Sequence, residues 1–250
     1  MKVLSLFSGG GLGDYGLELV GMEIVGQVEI DGYCQKILKL RWPEVPKWKD
    51  VNVFSGKNFV RRFGKVDCIS GGFPCQDISI ANTKGKGLSG NYSGLWWQMF
   101  RIIREIRPSY CLIENVRQLL HRGMGDVIGS LASTGYDCEW SVLRASDFEA
   151  PHRRDRLFIV AYSQDKSRLQ AGQSVMSSRD IEQTWTGDLQ LHRKTMAAPD
   201  WKIPETYFDG THDETSGRVD RCKIVGNGQD VSVVQWIGER IMEFEANNPN

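Results

Sequence analysis

Short apolar runs alternate with helical patterns of apolar residues over the first two-thirds of the chain. Strand-length apolar runs bounded by turn residues predict strands, and apolar positions three and four residues apart predict helices. The predicted strands are 3–7, 23–29, 66–70, 110–113, 140–143 and 157–161, and the predicted helices are 12–20, 33–41, 95–107 and 127–132. This alternation predicts an α/β fold built on a doubly wound, mostly parallel sheet.

The pattern changes after Ser163. Residues 164–217 are mostly polar and show little periodicity, whereas apolar residues at helical spacing return between Val231 and Ile241. We therefore expect a main domain over 1–163, a small irregular region over 164–217, and a return to the main domain over 218–250.

Glycines and an acidic residue follow the first two predicted strands. The loop Phe7–Gly13 leads from strand to helix, where glycines let a ligand approach the backbone and the helix N-terminus offers free N–H groups. Glu29 closes the second strand, a position from which a carboxylate can bind ribose hydroxyls. An exposed strand-end carboxylate is the alternative for Glu29, but the two features together favour a nucleoside-bearing cofactor.

Cys75 is the candidate nucleophile. It follows a predicted strand, the pair Gly71-Gly72 and the rigid Pro74, so its backbone would be held in one position. Cys68 and Cys111 lie inside apolar runs and are typical of unreactive packing residues.

Glu114 and two arginines could act beside Cys75. Glu114 ends the next long strand, where a half-buried carboxyl can act as an acid, although a helix-capping pair with Asn115 would look the same in sequence. The basic run 152–156 precedes a later strand, and Arg154 and Arg156, alternating along a strand, would point to the same face and could both reach one ligand. A solvated basic edge is the ordinary alternative for these arginines.

Composition narrows the class of protein only a little. Lys+Arg and Asp+Glu both total 31, which argues against a protein that coats nucleic acid nonspecifically but leaves room for a local basic cleft. The 6 cysteines are scattered, so a disulfide scaffold or a zinc site is not expected. No stretch has the length of a membrane span, and we expect a cytoplasmic protein in a reducing setting.

In order along the chain, Phe-Ser-Gly-Gly-Gly, Glu29, Gly-Gly-Phe-Pro-Cys-Gln, Glu-Asn-Val, Arg-x-Arg and Gly-Asn-Gly resemble the motifs of the cytosine carbon-5 DNA methyltransferase family. The matching blocks cover roughly 1–163 and 218–245. The sequence departs from the family at Ser5, where Asp is usual before Leu-Phe, and at Gln229, where an apolar residue is usual.

The resemblance implies a Rossmann-like methyltransferase fold and a covalent mechanism on a flipped cytosine. In that mechanism Cys75 adds to carbon 6 of the base, Glu114 holds or protonates ring N3, Arg156 binds the base carbonyl, and Arg154 supports the base or its phosphate. S-adenosylmethionine is the implied methyl donor. In the family, Phe7 packs on the adenine, the glycine loop holds the methionine moiety, Glu29 binds the ribose and Asp50 hydrogen-bonds the adenine amine.

The resemblance also implies two larger sets of contacts. The expected cofactor-binding residues are Phe7, Ser8, Gly9, Gly10, Gly11, Leu12, Glu29, Ile30, Asp50, Val51, Pro74, Leu95, Asn227 and Gly228. The expected DNA-binding residues are Gln76, Ser79, Lys84, Lys86, Arg153, Arg218 and Arg221.

Three other functions are open at this point. A nucleotide-dependent oxidoreductase would explain the glycine loop and Glu29 but has no need of Pro-Cys-Gln. A tRNA-directed member of the family is a nearer alternative, and Gln76 after Pro-Cys favours DNA. A catalytically silent DNA-binding relative would have no reason to keep Cys75, Glu114 and Arg156 together. We expect a monomer acting on double-stranded DNA, with a restriction endonuclease as a candidate partner system.

Overall fold

The computed structural model describes residues 1–74, 94–148, 150, 153–163 and 228–247. Its strands are β1 Lys2–Leu6, β2 Glu23–Val28, β3 Lys47–Trp48, β4 Cys68–Gly72, β5 Tyr110–Val116, β6 Tyr136–Arg144 and β7 Asp155–Ser163. Its α-helices are α1 Leu12–Leu19, α2 Gly32–Arg41, α3 Gly56–Phe63, α4 Leu95–Ile106, α5 Met124–Ala132 and α6 Val231–Asn247. Two short 3-10 helices span Arg117–Leu120 and Ala145–Phe148.

The strands form one seven-stranded sheet in the order β3-β2-β1-β4-β5-β7-β6. The pairs β3–β2, β2–β1, β1–β4 and β4–β5 are parallel, and β7 runs antiparallel to both β5 and β6. The mostly parallel α/β sheet predicted from the sequence is therefore confirmed. One edge gathers the carboxyl ends of β1, β2, β4, β5 and β6 with the start of β7.

Alternating side chains of the strands build a core on each face of the sheet. One core packs α4 and α5 residues such as Trp96, Ile102 and Val127 against the sheet. The other packs Leu17 of α1 and Ile237 of α6 against it. Because helices cover both faces of the sheet, a ligand can reach the strands at the carboxyl edge.

Close packing of α6 on α1 ties the C-terminal helix to the first βα unit. A Cβ at Gly16 would lie 2.7 Å from the backbone oxygen of Val231, so only glycine lets the two helices approach this closely. The division of the chain at residues 163 and 217 remains a prediction, because 164–227 lie outside the described residues.

Two elements escaped the sequence prediction. Helix α3 carries few apolar residues, and it is held by Ser55, which caps its N-terminus, and by an aromatic cluster in which Phe59 and Phe63 pack on Trp48. Strand β3 has only two residues, too few for a periodic signal. Strand β5 also runs on to Val116, so Glu114 lies within the strand rather than after it.

Candidate active site

The loop after β1 has the backbone shape of a ligand cradle. Phe7, Gly9 and Gly11 have φ values of 55°, 55° and 81°, and the Gly11 N–H donates to the Ser8 carbonyl at 2.9 Å. A Cβ at Gly11 would lie 2.4 Å from the Trp42 ring, whereas a Cβ at Gly9 would have no neighbour within 4 Å. Gly11 is thus fixed against the protein, while the space beside Gly9 is open to a ligand.

Glu29 connects this loop to the start of α2. Its Oε2 accepts the Gly9 N–H at 2.7 Å, and its Oε1 accepts the Asp31 N–H at 2.8 Å. Burial raises the pKa of Glu29, and these backbone donors oppose that rise. Each oxygen keeps lone-pair capacity for a further donor such as a ribose hydroxyl.

The other expected cofactor residues lie in several elements of the fold. Ile30 is 63% exposed and offers an apolar surface directly after Glu29, while Val51 is buried. Asp50 follows β3, which pairs with β2, and accepts the Asn52 N–H at 2.8 Å. The remaining described members of the set are Ser8, Gly10, Leu12, Pro74, Leu95 and Gly228, which lie in the glycine loop, after β4, at the start of α4 and before α6.

Glu114 and Arg156 form a buried ion pair at the centre of the carboxyl edge. Arg156 Nε lies 3.0 Å from Glu114 Oε1, and Glu114 is 6% exposed. Their strands pair with Glu114 opposite Phe158 and Val116 opposite Arg156, so the two side chains are diagonal neighbours on one face. Burial raises the pKa of Glu114 to about 7, against the opposing charges of Arg156 and Arg154. This carboxyl can therefore both hold and release a proton near neutral pH.

The Glu114 carboxylate lies over the end of β4, the strand that leads to Cys75. Gly72 pairs with Glu114, and a Cβ at Gly72 would lie 2.6 Å from Glu114 Oε2. Asn115 Nδ2 donates to the Phe73 carbonyl at 3.0 Å and fixes the backbone before Pro74. The structure thus brings Glu114, Arg156 and the residues immediately before Cys75 together.

Arg154 does not alternate with Arg156 along a strand, so that prediction is wrong. Strand β7 begins at Asp155, and Arg154 has a φ of 31°, which turns the chain out of strand geometry. The Arg154 guanidinium donates to the carbonyl of Gly228, ahead of α6. Burial lowers the pKa of Arg154, and Glu114 and Asp230 oppose that shift. Arg154 thereby links the ion pair to the segment that contains Asn227 and Gly228.

A family model described as C-5 cytosine-specific DNA methylase matches residues 1–201. The chain belongs to this family. Strands β1 to β7, and with them the glycine loop, Glu29, Glu114 and Arg156, all lie inside the match.

Three similar proteins illustrate the family. The type II methyltransferase M.Sau3AI of Staphylococcus aureus is 40% identical over 110 residues, which cover 40% of this chain and 27% of that protein. The type II methyltransferase M.CviJI of Paramecium bursaria Chlorella virus IL3A is 33% identical over 165 residues, or 66% of this chain and 44% of that protein. A structure described as a prophage-encoded DNA modification methyltransferase from E. coli matches with a TM-score of 0.56 and 26% identity, covering 66% of this chain and 47% of that one. The chain thus spans less than half the length of each of these proteins.

A buried polar group that sequence reasoning missed lies beneath the glycine loop of this family member. Asp14 of α1 is 2% exposed and accepts from Gln27 Nε2 at 2.7 Å, and Ser5 hydrogen-bonds it as well. Burial raises the pKa of Asp14 to about 6. The available signal was an acidic residue in the first turn of a helix whose neighbouring residues are mostly apolar or glycine.

Several expected site residues lie outside the described residues: Cys75, Gln76, Ser79, Lys84, Lys86, Arg218, Arg221 and Asn227. Of the other cysteines, Cys68 and Cys111 are fully buried, and burial raises the pKa of both thiols, that of Cys68 to about 12. Among the described residues, no three His, Cys, Asp or Glu side chains are grouped to hold a metal ion. Nor does that part of the chain contain a helix long and apolar enough to cross a membrane.

Proposed function

We propose that this chain transfers a methyl group from S-adenosylmethionine to carbon 5 of a flipped-out cytosine in double-stranded DNA. The observation that carries the proposal is the buried Glu114–Arg156 pair beside the strand end that precedes Cys75. On cytosine, ring N3 and the neighbouring carbonyl oxygen are both hydrogen-bond acceptors. A carboxyl with a pKa of about 7 can donate a proton to the first, and the neighbouring guanidinium can donate to the second.

The part of the carboxyl edge formed by β1, β2 and β3 suits the cofactor. The open space beside Gly9 admits a ligand to the backbone, Glu29 offers two fixed acceptors to a ribose, and exposed Ile30 offers an apolar contact to an adenine. In this proposal Phe7, Asp50 and Gly228 complete the pocket together with Asn227. The bound cofactor supplies an electrophilic methyl group.

The part of the carboxyl edge formed by β4, β5 and the start of β7 suits activation of the base. The Cys75 thiolate adds to carbon 6, and Glu114 gives its proton to N3 as negative charge moves into the ring. Carbon 5 becomes nucleophilic and would form the new bond to the methyl carbon as the bond from that carbon to the sulfonium sulfur breaks, which would leave S-adenosylhomocysteine. Loss of the carbon-5 proton to a base and elimination of the Cys75 thiolate restore the aromatic ring, while N3 returns its proton to Glu114.

Arg156 and Arg154 have separate parts in this scheme. Arg156 keeps Glu114 oriented and offers its remaining N–H groups to the base carbonyl. Arg154 donates a hydrogen bond to the carbonyl of Gly228 and so fixes the position of the base pocket relative to the cofactor pocket. In this scheme it is a positioning residue. Its expected contact with the base or a phosphate remains a prediction.

Partners beyond DNA follow from the family relationship alone. M.Sau3AI and M.CviJI are type II methyltransferases. A restriction endonuclease that shares the DNA target is therefore our candidate partner system, and we propose that the chain acts as a monomer in the cytoplasm. A tRNA substrate is the second candidate, disfavoured by Gln76 after Pro-Cys.

A methyl-transfer assay with tritiated S-adenosylmethionine tests the proposal. Duplex DNA and tRNA are offered separately to the wild type and to Cys75→Ala, with Cys138→Ala as the matched control because Cys138 lies near the start of β6, away from the carboxyl edge of the sheet. We expect label in DNA with the wild type and the control, and none with Cys75→Ala. Label in tRNA alone, or in neither nucleic acid despite bound cofactor, would overturn the assignment.

A further inference from the structure

Three arginines converge on Asp155 next to the proposed base pocket. Arg153 Nε lies 3.3 Å, Arg144 Nε 3.7 Å and Arg117 Nη1 3.8 Å from its carboxylate oxygens. We call Arg117, Arg144, Arg153 and Asp155 the arginine cluster. Sequence analysis had singled out only Arg153 of these four residues.

The sheet topology assembles the cluster from three elements. Arg117 follows β5, Arg144 is the last residue of β6, and Asp155 is the first residue of β7. Asp155 pairs with Arg144 across the β6–β7 ladder, so the cluster lies at the same sheet edge as Glu114. Arg156, the partner of Glu114, is the next residue after Asp155 and donates to its carbonyl at 3.0 Å.

The cluster is not balanced in charge. Three guanidinium groups share one carboxylate, which leaves a net charge of about +2, whereas the whole chain is formally neutral. The Arg117, Arg144 and Arg153 side chains are 55%, 48% and 71% exposed, while that of Asp155 is 18% exposed. An exposed ion pair contributes only about 0–1 kcal/mol, and two surplus like charges repel, so stability alone does not explain the arrangement.

We propose that the arginine cluster binds a backbone phosphate of the bound DNA, beside the base pocket. The inference rests on the proposed function and adds a contact surface to it. Guanidinium groups donate in pairs to phosphate oxygens, and the three side chains here are each roughly half exposed or more. Asp155 keeps the three cations together before DNA arrives, so less side-chain freedom is lost on binding.

The position of the cluster places the contact beside the base pocket. Asp155 and Arg156 are successive residues at the start of β7, so their side chains point to opposite faces of the sheet, and both lie at its carboxyl edge. Phosphate contacts fix the position of DNA without reading its sequence. The cluster therefore contributes to affinity and to placement of the base, and not to choice of target.

The salt dependence of DNA binding tests the proposal directly. We compare the wild type with Arg117→Gln, Arg144→Gln and the double variant, measuring Kd for fluorescent duplex DNA by anisotropy between 50 and 200 mM salt. The matched control is Arg61→Gln, which removes the same charge from the last turn of α3, near the opposite edge of the sheet. Thermal unfolding and S-adenosylmethionine binding of each variant report on folding and on the cofactor site.

The proposal predicts that the double variant, which removes the excess positive charge of the cluster, lowers the magnitude of the slope of log K against log salt by about 0.9, the value for one phosphate contact, and that each single variant lowers it by less. The affinity difference between wild type and double variant then shrinks about 3.5-fold from 50 to 200 mM salt. Unchanged slopes in folded, cofactor-binding single and double variants, or an equal change with Arg61→Gln, would overturn the phosphate site while leaving the proposed function standing. A wild type that binds and methylates no DNA would instead overturn the proposed function.

Discussion

Glu29 and Glu114 are two carboxylates at the same sheet edge, held by different kinds of donor. Glu29 accepts from the fixed backbone N–H groups of Gly9 and Asp31. Glu114 pairs instead with the side chain of Arg156 and has the flat surface of Gly72 beneath it. Burial raises the pKa of both groups, and that of Glu114 reaches about 7.

The difference suits two different tasks. Backbone donors cannot move independently of the fold, so Glu29 is held as a stationary acceptor suited to binding. Glu114 has a guanidinium neighbour that favours its charged form and burial that favours its neutral form. Burial is the larger effect and raises the pKa to about 7, so both forms are populated at neutral pH. A group with both forms populated can transfer a proton during a reaction.

The largest expected effect is the loss of methyl transfer when Glu114, in the proposed base pocket, is changed. Glu114→Gln keeps the shape of the side chain but removes its transferable proton, so methyl transfer to DNA should fall by about 100-fold or more. Affinity for S-adenosylmethionine should stay at the wild-type value, as measured by calorimetry. Glu23→Gln, at the exposed start of β2, is the control. Activity within a few-fold of wild type in Glu114→Gln would remove Glu114 from the mechanism.

Glu29→Gln should show the opposite pattern. Loss of a charged acceptor for both the Gly9 loop and the cofactor should raise the Kd for S-adenosylmethionine by about 10-fold or more. Methyl transfer at saturating cofactor should change much less than in Glu114→Gln. Equal losses of binding and turnover in both variants would mean that the two carboxylates do not divide the tasks in this way.

Gly72→Ala should disturb the packing of Glu114 in the proposed base pocket. The added Cβ would lie 2.6 Å from Glu114 Oε2, so we expect a loss of about 1–3 kcal/mol in the free energy of unfolding, measured by denaturant titration. Gly129→Ala is the control, since its Cβ meets nothing within 4 Å and alanine favours the helix α5. Equal stability of Gly72→Ala and the wild type would show that Glu114 does not depend on the space over β4.

Glu114 should also affect how the stability of the protein depends on pH. The folded-state pKa of Glu114 is above its unfolded value, so the folded state holds the extra proton and the stabilisation is complete below about pH 4.5 and lost as pH rises through about 7. The slope from this one group is at most about 1.4 kcal/mol per pH unit. Unfolding titrations from pH 5 to 8 should therefore vary less in Glu114→Gln than in the wild type. A steeper dependence in the variant would contradict the raised pKa.

Local signals in the sequence were enough to predict that the candidate site residues gather at one edge of the sheet. The glycine loop, Glu29 and Glu114 follow or end apolar strands, and parallel strands bring their carboxyl ends to one edge. The Glu114–Arg156 contact depends on β7 entering antiparallel beside β5, and strand order cannot be read from periodicity.

Other features depend on long-range contacts or on single backbone angles. Helix α3 is stabilised by rings from β3 and the loop after it, so its own apolar pattern is weak. The left-handed turn at Arg154 and the pairing of Arg144 with Asp155 come from the β6–β7 register, to which the basic run in the sequence gives no guide.

Trapping with DNA that carries 5-fluorocytosine tests the central claim most directly, because fluorine blocks the loss of the carbon-5 substituent and holds the enzyme on the base. With S-adenosylmethionine present, we expect the wild type to form a denaturant-resistant DNA adduct whose peptide maps to Cys75, and Cys75→Ser to form none. An adduct that persists in Cys75→Ser, or that maps to another residue, would contradict the mechanism.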